Sequence, residues 1–186
     1  MDWKTHYEQA LTYTEFLQRY GTDEHRRRWQ AVYDKVRVPA DQREMLAGFP
    51  RQLYLLCLSG TWCGDCVRES PILQRIAEES PVIELRFLDR DANPEVRDAL
   101  AINNGHRIPV VVFLSEDYAE CARYGERTLA TYRKIATERL GAACPTGIVP
   151  PGEDYMDEIV ADWLREMERV QLMLRLSPRL RELHGD

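Results

Sequence analysis

The sequence predicts an α/β fold: a four-stranded mixed sheet flanked by helices, with extra helices at both termini. Three observations carry this. Short apolar runs and helical periodicities alternate through the middle of the chain, in the order strand, helix, strand, helix, strand, strand, helix. The first two strands are separated by a helix and so must be parallel, whereas the last two are a turn apart and form a hairpin. The segments outside this unit have helical spacing alone. The chain therefore divides into a helical N-terminal extension (1–50), an α/β domain (51–140), and a Gly/Pro loop with a C-terminal helical extension (141–186) packed on the same domain.

Residues 2–20 carry Trp3, Tyr7, Leu11 and Leu17 near helical spacing, and Gly21 stops them. Thr22-Asp23 caps a second helix with Trp29, Val32, Tyr33 and Val36 on one face. Pro39-Ala40-Asp41 opens a short turn or helix through Leu46. The apolar run within 52–59 is a buried strand, and 64–79 a helix. Val82 to Leu88 is the next strand, and Asp91-Ala92-Asn93-Pro94 caps a helix through Leu100. Ile108 to Leu114 is the strongest strand. Ser115-Glu116-Asp117 turns it into a short strand, Ala119 to Tyr124, ended by Gly125, and Thr128 to Leu140 is helical. After the Gly/Pro loop of 141–152, a long helix starts near Asp154, with Ile159, Trp163, Met167, Val170 and Leu174 on its apolar face. Ser177-Pro178 ends it.

The 186 residues have an ordinary globular composition and a formal net charge of −6. That charge argues against general affinity for nucleic acid or acidic membranes. The one basic cluster, His25-Arg26-Arg27-Arg28, reads as a solvated helix face. No stretch approaches the ~20 apolar residues of a membrane span, and the N-terminus lacks the apolar core of a signal peptide. A cytoplasmic location is expected, where thiols stay reduced. Of the five cysteines, Cys57, Cys63, Cys66, Cys121 and Cys144, only Cys63 and Cys66 are closely spaced. That pattern fits a redox motif better than a disulfide framework.

The pair lies in Trp62-Cys63-Gly64-Asp65-Cys66, where a buried strand hands over to a helix N-terminus. Unpaired N–H groups and the helix dipole there favour a thiolate. A half zinc site is the competing reading. It needs about two more ligands, and there is no second C-x-x-C, while His6, His25, His106 and His184 are scattered. No metal and no bound cofactor are expected.

This motif, the strand order and Ile108-Pro109 together resemble the thioredoxin family over roughly residues 50–140. Trp62-Cys63-Gly64-Asp65-Cys66 is similar to the family's Trp-Cys-Gly-Pro-Cys, except at Asp65. Pro71 is similar to the proline that kinks the family's active-site helix, and Asp91-Ala92-Asn93-Pro94 to the turn after its central strand. Ile108-Pro109 resembles its cis-proline, and Gly125 the glycine lining its substrate groove. Cys57 stands where the family has a buried aspartate that assists proton transfer.

The resemblance implies a thioredoxin-like fold and a protein disulfide reductase. Cys63 would be the nucleophile, Cys66 the resolving thiol, and Trp62, Ile108, Pro109 and Gly125 the substrate groove. Protein disulfides would be the substrates, and an electron-donating reductase or small thiol the partner. Trp62, Gly64, Asp65 and Cys57 would modulate the pair. Asp65 favours the helix start, yet its charge within about 6 Å of Cys63 disfavours the thiolate. Cys57 and Cys121 read as strand residues filling apolar space, and Cys144 as exposed in the loop. The alternative function is a redox-responsive binding module for a dedicated partner, with little turnover.

Overall fold

The computed structural model describes residues 1–140 and 155–186. Residues 141–154, with Cys144, the Gly/Pro loop and the expected start of the long helix at Asp154, lie outside the described residues. Four strands, β1 (Leu53–Ser59), β2 (Ile83–Asp89), β3 (Val110–Leu114) and β4 (Glu120–Gly125), form one sheet in the order β2-β1-β3-β4. β1 and β2 are parallel, with Cys57 opposite Phe87. β1 and β3 are antiparallel, with Cys57 opposite Val111, and β3 and β4 form the hairpin, with Val110 opposite Gly125. The mixed four-stranded sheet expected from the element order is therefore present. β1 and β3 are its central strands, which is why both are apolar nearly throughout.

Nine helices surround the sheet among the described residues: α1 (Trp3–Gln9), α2 (Tyr13–Tyr20), α3 (Asp23–Tyr33), α4 (Ala40–Ala47), α5 (Gly64–Ala77), α6 (Pro94–Ala99), α7 (Leu129–Leu140), α8 (Tyr155–Leu176) and α9 (Pro178–His184). α5 follows β1 directly and packs against α3 and α8. Phe16, Trp29 and Phe87 are fully buried and meet as one aromatic cluster, with Tyr13 at its edge. The N-terminal helices thus share a core with the sheet.

Two expectations need correction, and a third is extended. Residues 2–20 are two helices, because Leu11 leaves the helix to bridge Phe87. The two residues exchange both backbone hydrogen bonds, at 2.9 and 2.7 Å, on the outer edge of β2. That covers part of an edge strand whose polar groups need partners. Thr12 and Glu15 then open α2 with a reciprocal capping box. At the other end Pro178 ends α8 but also begins α9, since proline fits the first helical position. Finally, His25 does not belong to a solvated face: its Nδ1 lies 3.1 Å from the hydroxyl of buried Thr61. Arg27 and Arg28 are exposed.

Candidate active site

β1 ends at Ser59, and Gly60 and Thr61 carry the chain to Trp62 and Cys63. The N-terminal helices hold this turn. Trp29 Nε1 donates to the Thr61 carbonyl at 3.0 Å, and the Thr61 hydroxyl donates to the Tyr20 carbonyl at 3.0 Å. Cys63 occupies the N-cap of α5 in extended conformation, so Gly64, Asp65 and Cys66 form the first helical turn. Cys66 is fully buried while Cys63 is partly exposed, and both are free thiols. The Cys63 thiol points at the Ile108 carbonyl, 3.8 Å away. The Ile108–Pro109 peptide bond is cis. The structure therefore brings residues 62–66 together with 108–109 from a distant stretch.

The two sulfurs differ electrostatically. The Cys66 thiol, followed by the amides of Cys66 and Asp65 at the helix start, lowers the Cys63 pKa to about 6, against burial and the Asp65 charge. Cys66 moves the other way. Burial, then its bonding to and repulsion by Cys63, push its thiol well above the ordinary range. The arrangement can present one thiolate outward near neutral pH and keep the second sulfur protonated behind it.

Around the pair, Trp62 is 45% exposed, and the Arg90 guanidinium lies 4.7 Å from its ring centroid. Asp65 is paired with Arg127 at 2.7 Å and Arg68 at 2.9 Å. Those cations offset the repulsion that Asp65 exerts on a Cys63 thiolate. A Cβ on Gly64 would meet nothing within 4 Å, so no contact inside the chain demands glycine there. Gly125 is different. Its φ is +153° and a Cβ would lie 2.5 Å from the Pro109 carbonyl oxygen, so only glycine fits beside Pro109.

Cys57 and Ser59 share one face of β1, turned toward α5. Burial pushes the Cys57 thiol up to about 12. Ser59 Oγ and Ser70 Oγ are 3.2 Å apart, linking the strand to the helix behind the dithiol. Cys121 is half-buried near the start of β4, the end opposite Gly125. No group of three or more His, Cys, Asp or Glu side chains could hold a metal among the described residues.

Sequence reasoning missed two residues. Arg127 reaches back from the β4–α7 turn to Asp65, and nothing local marks it. Glu69 is fully buried on α5, with Thr131 and Trp163 donating to its two oxygens. A signal existed for Glu69: it stands three residues after Cys66, on the apolar side of the helix.

A mixed four-stranded sheet with a buried and an accessible thiol at one helix tip defines a thiol-bearing α/β protein. Residues 10–138 match the family model described as Thioredoxin, and the chain belongs to the thioredoxin family. The match reaches back into the N-terminal helices, ahead of the motifs. A relative in Pasteurella multocida, "Probable thiol:disulfide interchange protein DsbE-2", is 30% identical over 82 residues. The alignment covers 44% of this chain and 41% of that one, so the chain spans less than half the length of this curated relative. A crystallised Pseudomonas aeruginosa protein of unknown function is 22% identical with a TM-score of 0.68, covering 88% of this chain and 95% of its own. An HIV epitope scaffold is 20% identical with a TM-score of 0.70, covering 91% and 99%. At those identities the two structures speak to the fold alone. No described helix is long and apolar enough to cross a membrane.

Proposed function

We propose that the chain is a thiol–disulfide oxidoreductase that reduces protein disulfides, with Cys63 as nucleophile and Cys66 as resolving thiol. The observation that carries the reading is the split between the two sulfurs: an accessible Cys63 lowered to about 6 beside a buried Cys66 raised above the thiol range. The Cys63 thiolate attacks one sulfur of a substrate disulfide. A Cys63–substrate S–S bond forms, and the other substrate sulfur leaves as a thiolate. Cys66 then gives up its proton and attacks Cys63 Sγ. The mixed disulfide breaks, and the second substrate thiolate departs. Two electrons have passed to the substrate, and the chain is left with a Cys63–Cys66 disulfide. A reductase or small thiol restores the dithiol. The groove is Trp62, Ile108, Pro109 and Gly125, with the Ile108 backbone available to pair with an extended substrate segment. Gly64 leaves room for that segment to approach. A reducing compartment, the cytoplasm, suits a couple that donates electrons.

The test is reduction of insulin disulfides with dithiothreitol as electron source. Wild type should accelerate precipitation of the freed chains, and Cys63→Ser should perform no better than buffer. Equal rates for the two proteins would dismiss catalysis. One observation favours the second reading, a redox-responsive binding module: Cys57, raised to about 12, offers no base at neutral pH where the family has an aspartate. Slow turnover together with redox-dependent retention of a single partner would support that module.

A further inference from the structure

We propose that Glu69 sets the redox poise of the Cys63–Cys66 couple, and that α7 and α8 govern Glu69 through Thr131 and Trp163. The proposal rests on the reading that the two thiols form a redox couple. Glu69 is 0% exposed. On a helix, side chains three residues apart are neighbours, with Cβ atoms roughly 5–6 Å apart. Cys66 and Glu69 are so related, and both are inside the protein. The carboxyl therefore lies in the same buried stretch of α5, where its charge bears on the Cys57 thiol of β1.

Its hydrogen bonds come from outside the active-site helix. Thr131 on α7 donates to Oε1 at 2.9 Å, and Trp163 Nε1 on α8 donates to Oε2 at 2.8 Å. Thr131 is itself fixed by the Tyr155 hydroxyl, which donates to it at 2.9 Å, and by Thr128 at 3.0 Å. Asp65 and Arg68 interact with Glu69 along α5, as does Cys57 from β1. From β4 comes Tyr124, whose ring stands edge-on to Trp163 at 4.9 Å. Asp162, next to Trp163 on α8, receives the Ala130 amide and the Arg165 guanidinium. Both hydrogen-bond donors to Glu69 are neutral, and the Arg68 guanidinium along α5 opposes part of its charge. Burial lifts its pKa to about 7, and the Trp163 and Thr131 bonds oppose the rise.

The consequence follows from charge. Reduction near neutral pH places a thiolate on Cys63. A carboxylate buried further along the same helix repels it. Ionised Glu69 therefore favours the disulfide over the thiolate form, which makes the dithiol a stronger reductant. By linkage, the thiolate raises the proton affinity of Glu69. Reduction then delivers two electrons to the sulfurs, one proton to Cys66 and a further fraction of a proton to the Glu69 carboxylate, the protons taken from solvent. Each hydrogen-bond donor lost from α7 or α8 raises the pH at which Glu69 ionises.

The experiment equilibrates the full chain with glutathione redox buffers between pH 5.5 and 8.5. The Cys63–Cys66 disulfide is then quantified by mass after acid quenching and alkylation. Wild type and Glu69→Gln should coincide at pH 5.5. Above about pH 7 the glutamine variant should shift about tenfold toward the dithiol, which is about 30 mV for this two-electron couple. Trp163→Phe and Thr131→Val should move the wild-type break upward by about one pH unit. A Glu69→Gln profile that follows wild type throughout overturns the proposal, as does a break that neither donor variant moves. If Glu69→Gln fails to fold, the donor variants decide alone. Absence of any Cys63–Cys66 disulfide overturns both the couple and this proposal. A Glu69-dependent couple in a protein that does not reduce insulin upholds this proposal and refutes turnover.

Discussion

Cys63 is an ordinary cysteine whose low pKa follows from the Cys66 thiol behind it and then from the helix-start amides around it. Alkylation by iodoacetamide should show one thiol titrating with a midpoint near pH 6, and Cys63→Ser should remove it. Cys66 should stay unmodified in the native chain, because burial keeps its sulfur protonated. Asp65 opposes the thiolate, but Arg127 and Arg68 hold its charge. Arg127→Met should therefore raise the Cys63 midpoint by roughly half to one unit, and Asp65→Pro should lower it by a similar amount. If neither variant moves the midpoint, the rim charges have no hold on Cys63.

At this scale, what could be read from the sequence was whatever sat inside a local motif. Cys63 and Cys66 announce themselves by spacing, and Pro109 by its neighbour and place in the strand order. Arg127 lies far along the chain from Asp65, and the pair exists only after β4 has joined the sheet beside β3, which pairs with β1. Glu69 could have been read from its place on the apolar side of a helix. Its partners, Thr131 and Trp163, could not, because they depend on how α7 and α8 dock.

Among the elements, α5 carries both the chemistry and the burden. It begins just after Cys63 and buries Glu69 one turn past Cys66. A carboxyl whose folded pKa is raised adds stability below its unfolded value, and that stability is lost as pH rises through the folded value. For Glu69 the window runs from about 4.5 to about 7. Wild type should accordingly lose up to ~3 kcal/mol relative to Glu69→Gln between pH 4 and pH 8, read from urea midpoints at each pH. The opposite trend would mean that the carboxylate is better solvated than its burial suggests. The β4 terminus gives a second test at this scale. Gly125→Ala must relieve a clash with the Pro109 carbonyl and a left-handed backbone, and should cost ~1–3 kcal/mol. Its insulin-reduction rate should fall with it, since Pro109 borders the proposed groove.

Helix boundaries were less legible than strand order, for a physical reason. Trp3, Tyr7, Leu11 and Leu17 keep helical spacing straight through a break. Leu11 packs its side chain on the core while its backbone bonds the edge of β2, which a periodicity cannot distinguish from a helix face.

Across the whole molecule, the flanking helices and the sheet share one core. Trp29 from α3 packs against Phe87 of β2 and ties down Thr61 before the dithiol. Trp163 from α8 lies against Tyr124 of β4 and holds Glu69. Single-transition unfolding is expected by both fluorescence and circular dichroism. Trp29→Ala should cost about 3–5 kcal/mol, as loss of a fully buried aromatic does. Two resolved transitions would separate the N-terminal helices from the sheet.

The central claim is that a partly exposed Cys63 of lowered pKa attacks and a buried Cys66 resolves. The most direct measurement is a trap: Cys66→Ser incubated at pH 7 with an oxidised protein substrate, followed by intact mass and peptide mapping. The account predicts a stable mixed disulfide on Cys63 that wild type does not accumulate. No adduct, or adducts confined to Cys57, Cys121 or Cys144, would contradict it.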